Sequence, residues 1–453
     1  MNLREACSTL VTKIRDAYRA RPLPAILVAA AALHLVFTLA VFMTGRCALM
    51  PSQFDAYGIG VFAHDGHYLQ PEAEALADAL KAGEFMAWAR WPSMLHLKLY
   101  SLFIAVFGFH TGFNILTIEP LNLCYYLATL TLVFKLARET FDRRAALFAV
   151  ALTGLWPSYL LHTTQLLKDP LLITAILVLM LILVRLLTTT HSWRGGVAAG
   201  VAASVAVFVI WLVRTSMWDV TRAVVVLGIV LLVVRQVRER RVLWRNVAGV
   251  VLLVAAVVII PRYGVAFNSL RTMPGRFDPS AEIQQDMSLE ERVAFRRDLF
   301  NGTDDDGETS GSTIDTGRQL RNKAEIARYL PRAAVIGFLA PFPNMWFAEG
   351  SKVHSSGRLL SGFEMLLTYA VELLALVGVW HGRHRFTTWL LLLTSAAGAL
   401  GLGLVVRNIG TLYRLRYPFW MLLVILGGGG AVQLCARLST RKRISGRGQV
   451  ASV

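Results

Sequence analysis

Long apolar runs alternate with short polar breaks along most of this chain. Residues 23–44 contain one histidine and no charge, and an α-helix needs about 20 such residues to cross the hydrocarbon core of a bilayer. Comparable runs follow at 118–137, 145–164, 170–187, 196–213, 220–234, 247–260, 360–380, 386–406 and 418–434. The pattern predicts an all-α polytopic membrane protein with about ten transmembrane helices. Two more segments are apolar enough to compete. Residues 92–108, "PSMLHLKLYSLFIAVFG", carry His96 and Lys98 around a short core, which suits a helix lying at the interface. Residues 330–347 contain "PFPN", which breaks a spanning helix. Both are expected to be juxtamembrane or re-entrant.

Composition agrees with the pattern: 55% of residues are apolar, and the mean hydropathy is +0.53. A net charge of +17 suggests nucleic acid at first, but in a polytopic protein the placement of charge matters more than its sum. With residues 1–22 cytoplasmic, thirteen Lys and Arg fall in the short inner loops and six in the short outer ones, as positive-inside orientation requires. The basic excess then serves orientation and contact with anionic lipids, with no nucleic-acid partner. The run 23–44 is too long for a signal-peptide core, and no small-residue cleavage site follows it, so retention is expected. Four scattered cysteines show no CxxC spacing and predict neither a disulfide framework nor a zinc site.

This topology divides the chain into a cytoplasmic segment 1–22, a transmembrane module 23–190 with a first outer loop 45–117, further spans 191–260, an outer loop 261–359, C-terminal spans 360–436 and a basic cytoplasmic tail 437–453. Within the second outer loop, "FNGTDDDGETSGSTIDTG" reads as a solvated turn. Its Asp304, Asp305, Asp306 and Glu308 lack the full pattern of a calcium loop. Asn301-Gly302-Thr303 is formally a glycosylation sequon.

Three polar stretches fall together on the expected outer side. The first is "FDAYGIGVFAHDGHYL", residues 54–69, where Asp55 or Asp65 is available as a general base. Asp65 also suits a helix cap, with Gly83 near the end of that helix. The second is "HTTQLLKDPLL", where Lys168 and Asp169 interrupt an apolar stretch. Charges at such a position mark polar sites or substrate paths, and Lys-Asp-Pro is also turn chemistry. The third is "VVRNIGTLYRLRYP", whose Arg407, Arg414 and Arg416 suit lipid-phosphate oxygens or, equally, headgroup contact by snorkelling.

Asp65, Tyr68, the small-residue run 73–83, Pro92, "LYSLFIAVFG" and then "LVFKLARETFDRRAALFAVALTGLWPSYLLHTTQLLKDPLLITAILVLML" together resemble the N-terminal module of the GT-C glycosyltransferase superfamily. Within it the likeness is to bacterial members grouped with protein O-mannosyltransferases and lipid A aminoarabinose transferases. It covers about residues 23–190, and "YRLRYP" more loosely resembles their arginine-bearing last outer loop.

The resemblance implies inverting transfer of a sugar from a polyprenyl-phosphate donor to a glycan, lipid or protein acceptor on the extracytoplasmic face. It makes Asp65 the base, with Asp55 in reserve, although Gly66 stands where many relatives carry a second acid. Asp169 is expected to orient substrate or base, and Lys168, Arg407, Arg414 and Arg416 to meet donor phosphate. Because the leaving group is already a phosphate, cations matter more than a general acid, unlike the paired carboxylates of sugar hydrolases.

His67, Tyr68, Trp88 and Glu364 are candidate substrate contacts, Glu364 because an intramembrane acid near the outer end of its span can line the donor cavity. His34 is expected to bond a neighbouring helix. No cofactor is firmly implied, no metal ligands are assigned, and dependence on a divalent metal is left open. Localisation in a bacterial inner membrane, with the site facing the periplasm, is the expectation. An O-antigen-type polymerase or ligase, with its arginines in the loop 261–359, and a lipid-linked glycan transporter or flippase are the competing readings.

Overall fold

The computed structural model describes residues 22–271, 287–299, 313–347 and 354–450. The acidic run 304–308 and the sequon at 301–303 lie outside them. In chain order the helices are α1 (Pro22–Arg46), α2 (His64–Lys81), α3 (Phe85–Arg90), α4 (Leu95–Phe107), α5 (Ile115–Thr140), α6 (Arg143–Gly154), α7 (Pro157–Thr163) and α8 (Asp169–Thr188). There follow α9 (Trp193–Val213), α10 (Trp218–Glu239), α11 (Trp244–Tyr263), α12 (Leu289–Leu299), α13 (Lys323–Leu339), α14 (His354–Gly382), α15 (Phe386–Val405) and α16 (Ile409–Val450). Among the described residues, nine helices are long and apolar enough to cross a membrane, or ten if α6 and α7 count as one broken span. The protein is an all-α multi-pass membrane protein.

The broken span is the main difference from the expected pattern. Residues 145–164 read as one helix, but α6 and α7 meet at a 64° bend. Pro157 at the start of α7 has no N–H to continue the ladder of α6. The apolar segment 92–108 contains only the 13-residue α4, too short to span. In 330–347, α13 ends at Leu339, ahead of Pro341.

Side chains that bond the first free N–H groups set several helix starts. Asn114 accepts from Leu116 N at α5, Asp142 from Ala145 N at α6, and Asn322 from Glu325 N at α13. Lipid gives apolar helices no reason to associate by hydrophobicity, so packing depends on close backbone approach at small residues. An added Cβ on Gly430 would lie 1.9 Å from the Leu374 carbonyl oxygen, and one on Gly337 2.0 Å from that of Ala399. These contacts pack α14 against α16 and α13 against α15.

A second, smaller core forms outside the main bundle. Along α2, Leu69, Ala73, Leu76 and Ala77 are buried, a helical stripe that packs on Leu97, Tyr100 and Ile104 of α4 and on Ile115 and Ile118 of α5. The first loop and α2 therefore sit on a rigid platform joined to the start of α5.

Between the helices, His34 of α1 bonds Glu119 of α5 through Nδ1 at 2.7 Å and Thr163 of α7 through Nε2 at 2.9 Å. Thr38 donates to the other Glu119 oxygen at 2.9 Å. The histidine thus joins three helices, as expected of a polar group inside a span.

Candidate active site

Local bonds first fix the segment that carries Lys168 and Asp169. Gln165 accepts from Gly60 N at 2.9 Å and donates to Gly58 O at 3.3 Å, so the first loop is strapped to residues 164–168. Tyr100 of α4 donates to Leu167 O at 3.1 Å and to Asn122 at 2.7 Å. Gly66 permits the approach of α2 to this segment: a Cβ there would lie 3.1 Å from the Ile59 side chain and 3.6 Å from Leu166 O. Position 66 therefore has little room for a side chain.

These constraints bring Asp65 to the start of α8 and the start of α16. Arg414 Nη2 donates to Asp65 Oδ2 at 3.0 Å, and Arg414 Nη1 lies 3.9 Å from Asp169 Oδ2. Arg214, at the end of α9, donates to Asp169 Oδ1 at 3.1 Å. Asp65 is not the cap of α2, because the cap position is Ala63 and has no side-chain bond. Its carboxylate, 47% accessible, is turned to Arg414 instead. Asp169 and Arg214 are buried, with side-chain exposures of 6% and 9%.

Two carboxylates here meet three cations, Arg414, Lys168 and Arg214. Burial raises the Asp65 pKa, but the positive charges of Arg414, Lys168 and Arg214 outweigh it and hold the carboxyl down at about 2. Burial and Arg214 lower the Lys168 ammonium to about 8, although Asp65 and Asp169 oppose them. His96 of α4 is lowered to about 3 by burial and then by Lys168, which keeps it neutral. Arg414 Nη1 and Arg214 Nε have no hydrogen-bond partner, and Lys168 Nζ forms no ion pair among the described residues. The cluster has a net positive charge and unengaged donors, an arrangement suited to an anion.

A cavity of about 350 Å³ adjoins it. Its wall is formed by Phe54 and Phe62 of the first loop, Ser158 and His162 of α7, Arg358 and Glu364 of α14, and Tyr413 of α16. Most of the remaining lining, including Met50, Leu161, Met345 and Leu360, is apolar. Tyr413 precedes Arg414, so the cavity wall and the charged cluster are successive residues of one helix. Glu364 is fully buried, accepting from Ser158 N at 2.7 Å and from the Tyr413 hydroxyl.

The structure therefore brings together Asp65, Lys168, Asp169 and Arg414, and places Glu364 in the adjoining cavity. Other candidates lie apart. Arg407 donates to Arg318 O at 2.8 Å, and Arg416 donates to Phe338 O at 3.0 Å and Ala340 O at 2.9 Å. Each holds backbone. Asp55 closes a turn by accepting from Tyr57 N at 3.0 Å and Ile59 N at 2.7 Å, with His67 3.3 Å from its other oxygen. Tyr68 is 44% exposed outside the cavity, and Trp88 is fixed to α4 through Ser101 at 2.9 Å.

Arg214, His162 and Arg358 were not singled out from the sequence, and His96 only as a mark of an interfacial helix. The signal available for Arg214 was its place in a short loop on the expected outer side. Nothing in the local pattern marks His162 or Arg358. Among the described residues, no group of three or more His, Cys, Asp or Glu is arranged to hold a metal.

No protein-family model and no curated protein matches the sequence. Three solved structures are similar in fold. ArnT from Cupriavidus metallidurans bound to undecaprenyl phosphate is 16% identical, with 93% of this chain and 63% of that one covered and a TM-score of 0.48. The Archaeoglobus fulgidus oligosaccharyltransferase in its apo form is 13% identical, with coverages of 93% and 52% and a TM-score of 0.51. AglB, the oligosaccharyltransferase of that organism in complex with an inhibitory peptide and a dolichol-phosphate, is 13% identical, with coverages of 95% and 52% and a TM-score of 0.52. This chain thus spans less than two thirds of each. The chain shares the fold of the two Archaeoglobus fulgidus structures.

Proposed function

We propose that this protein, built on the GT-C fold, transfers a sugar from a polyprenyl-phosphate carrier to an acceptor on the extracytoplasmic face of a bacterial inner membrane. The observation that carries the reading is the pairing of Asp65 with Arg414, in the field of Lys168, beside a cavity with mainly apolar walls. That combination suits a ligand with a lipid chain, a phosphate and a reacting sugar. The dolichol-phosphate and peptide in the AglB complex belong to that protein, and they make the same classes of ligand reasonable here.

In the proposed reaction, an acceptor hydroxyl oxygen attacks the anomeric carbon on the side opposite the phosphate. The new C–O bond forms as the bond to the phosphate oxygen breaks, and its electron pair leaves on the lipid phosphate. Asp65 takes the hydroxyl proton, and inversion follows. Arg414 and Lys168 stabilise the charge on the departing phosphate, the larger requirement in such a displacement. Asp169 holds Arg214 and Arg414 in place.

The pairing also suggests how the base is activated. With Arg414 bound to it, Asp65 is a weak proton acceptor at about 2. A donor phosphate that engages Arg414 and Lys168 removes part of that stabilisation and raises the affinity of Asp65 for a proton. Donor binding then prepares the base. We further read the site as working without a resident metal, because a divalent cation would meet an excess of positive charge.

The test is transfer by the purified protein in nanodiscs, using a panel of radiolabelled undecaprenyl-phosphoryl sugars and comparing wild type, Asp65→Asn and Asp55→Asn. Loss of turnover in Asp65→Asn alone, with donor binding retained, supports the assignment. Full activity in that variant sinks it. Wild-type inactivity on every donor moves weight to the polymerase, ligase or transporter readings, although the arginines expected to serve a polymerase include Arg296 and Arg297, which are engaged with Asp219 and with the carbonyl oxygens of Leu404 and Arg318.

A further inference from the structure

His162 stands in the cavity wall with one ring nitrogen committed. Its Nδ1 lies 2.6 Å from Ser158 O, a carbonyl that can only accept, so Nδ1 carries the proton. The Tyr417 hydroxyl, 3.1 Å from the same nitrogen, donates its own hydrogen to Ser158 Oγ at 2.8 Å and so can also accept from Nδ1. In the neutral ring this leaves Nε2 as a lone-pair acceptor. Nε2 has no partner among the described residues. The ring is held by Phe62, edge-on at 5.3 Å, and by Tyr417 at 5.6 Å.

Neighbouring polar groups are already engaged. Tyr413 is bonded to Glu364, Ser158 N to Glu364, and Ser361 to Arg358 O. An oriented acceptor in a cavity wall requires a ligand group that donates. A phosphate oxygen without a proton cannot do so, whereas a sugar hydroxyl can.

We infer that His162 is a specificity-determining residue that accepts a hydrogen bond from a hydroxyl of the donor's sugar through Nε2. The inference rests on the lipid-linked donor reading above and assigns the cavity beside α7 to the sugar. Ser158 and Tyr417 position His162 by fixing its tautomer and ring plane. Two substitutions separate the ring nitrogens: His162→Asn keeps a donor for Ser158 O and removes the Nε2 acceptor, while His162→Gln places an amide oxygen near the Nε2 position.

The experiment measures binding to full-length protein in nanodiscs of undecaprenyl phosphate alone and of undecaprenyl phosphate carrying each of several hexoses and pentoses. The expected result is that at least one sugar strengthens wild-type binding, that His162→Asn loses about five- to tenfold of that gain, the usual range for one neutral hydrogen bond, and that His162→Gln recovers most of it. All three proteins should bind the bare lipid phosphate equally, which a merely structural role would not predict. A wild-type advantage for sugar that survives in His162→Asn overturns the assignment of His162 and leaves the donor reading standing. Failure of wild type to bind any of the lipids removes the donor reading and this inference together.

Discussion

Lys168→Arg is the most informative single change, because it separates charge from titration. The wild-type ammonium is lowered to about 8 by burial and by Arg214. It is cationic at pH 7 and loses its charge as the pH rises through 8, just where the donor phosphate is proposed to need it. The free protein's groups shape the pH dependence of kcat/KM, so that parameter for the donor should fall in wild type to about one tenth of its neutral value at pH 9. Arginine remains protonated far above this range. The variant profile should therefore stay flat to pH 9.5, even if its plateau is lower because a planar guanidinium fits the Lys168 space less well. The assay is initial-rate transfer at subsaturating donor from pH 6.5 to 9.5, with thermal unfolding followed at each pH. A flat wild-type profile, or an identical alkaline limb in Lys168→Arg, would refute the idea that Lys168 meets the phosphate as a titrating cation.

Four further outcomes follow from the geometry. Arg414→Met should lower donor turnover by about two to three orders of magnitude, and an acid limb should emerge near the ordinary carboxylate range as Asp65 rises from about 2; an unshifted limb in a still-active variant would exclude Asp65 as the base. The same depressed pKa means that the stability supplied by the Asp65 pairing is present above pH 3.8 and is lost as pH falls towards 2, so thermal unfolding of Asp65→Asn should converge on wild type only in acid. Glu119→Ala removes the acceptor for His34 and Thr38 and leaves buried polar groups unsatisfied, which should destabilise the protein by about 1–3 kcal/mol, read by thermal shift, with Thr163 and α7 loosened. Chelation by EDTA should leave transfer unchanged, whereas loss of activity restored by added magnesium would overturn the metal-free reading.

The spans were legible because lipid imposes a simple rule: an apolar helix of sufficient length and no exposed backbone donors. The same rule obscured the bend at Pro157, since hydropathy does not distinguish a straight helix from one interrupted by a missing N–H. Asp65, Lys168, Asp169 and Arg414 stood out because each is a charge beside a greasy run. Arg407 and Arg416 looked the same in sequence but hold carbonyl oxygens: Arg407 lies ahead of α16, and Arg416, two residues past Arg414, leaves that helix on a different side. His162 left no such mark: a histidine in "LLHTTQ" becomes significant only when Ser158, one turn earlier, takes up Nδ1.

The Asp65–Arg414 contact joins positions 349 apart in sequence. A chain emerging from the ribosome has Asp65 in place long before the last helix is made, and the residue that completes its environment arrives only with α16. Partly inserted protein therefore holds a carboxylate without its cation and a cavity without the wall that Tyr413 supplies. Under the proposed reaction, the order of synthesis keeps unfinished chains from acting on carrier lipids, and any truncation ahead of residue 413 should yield a membrane-inserted but catalytically silent product.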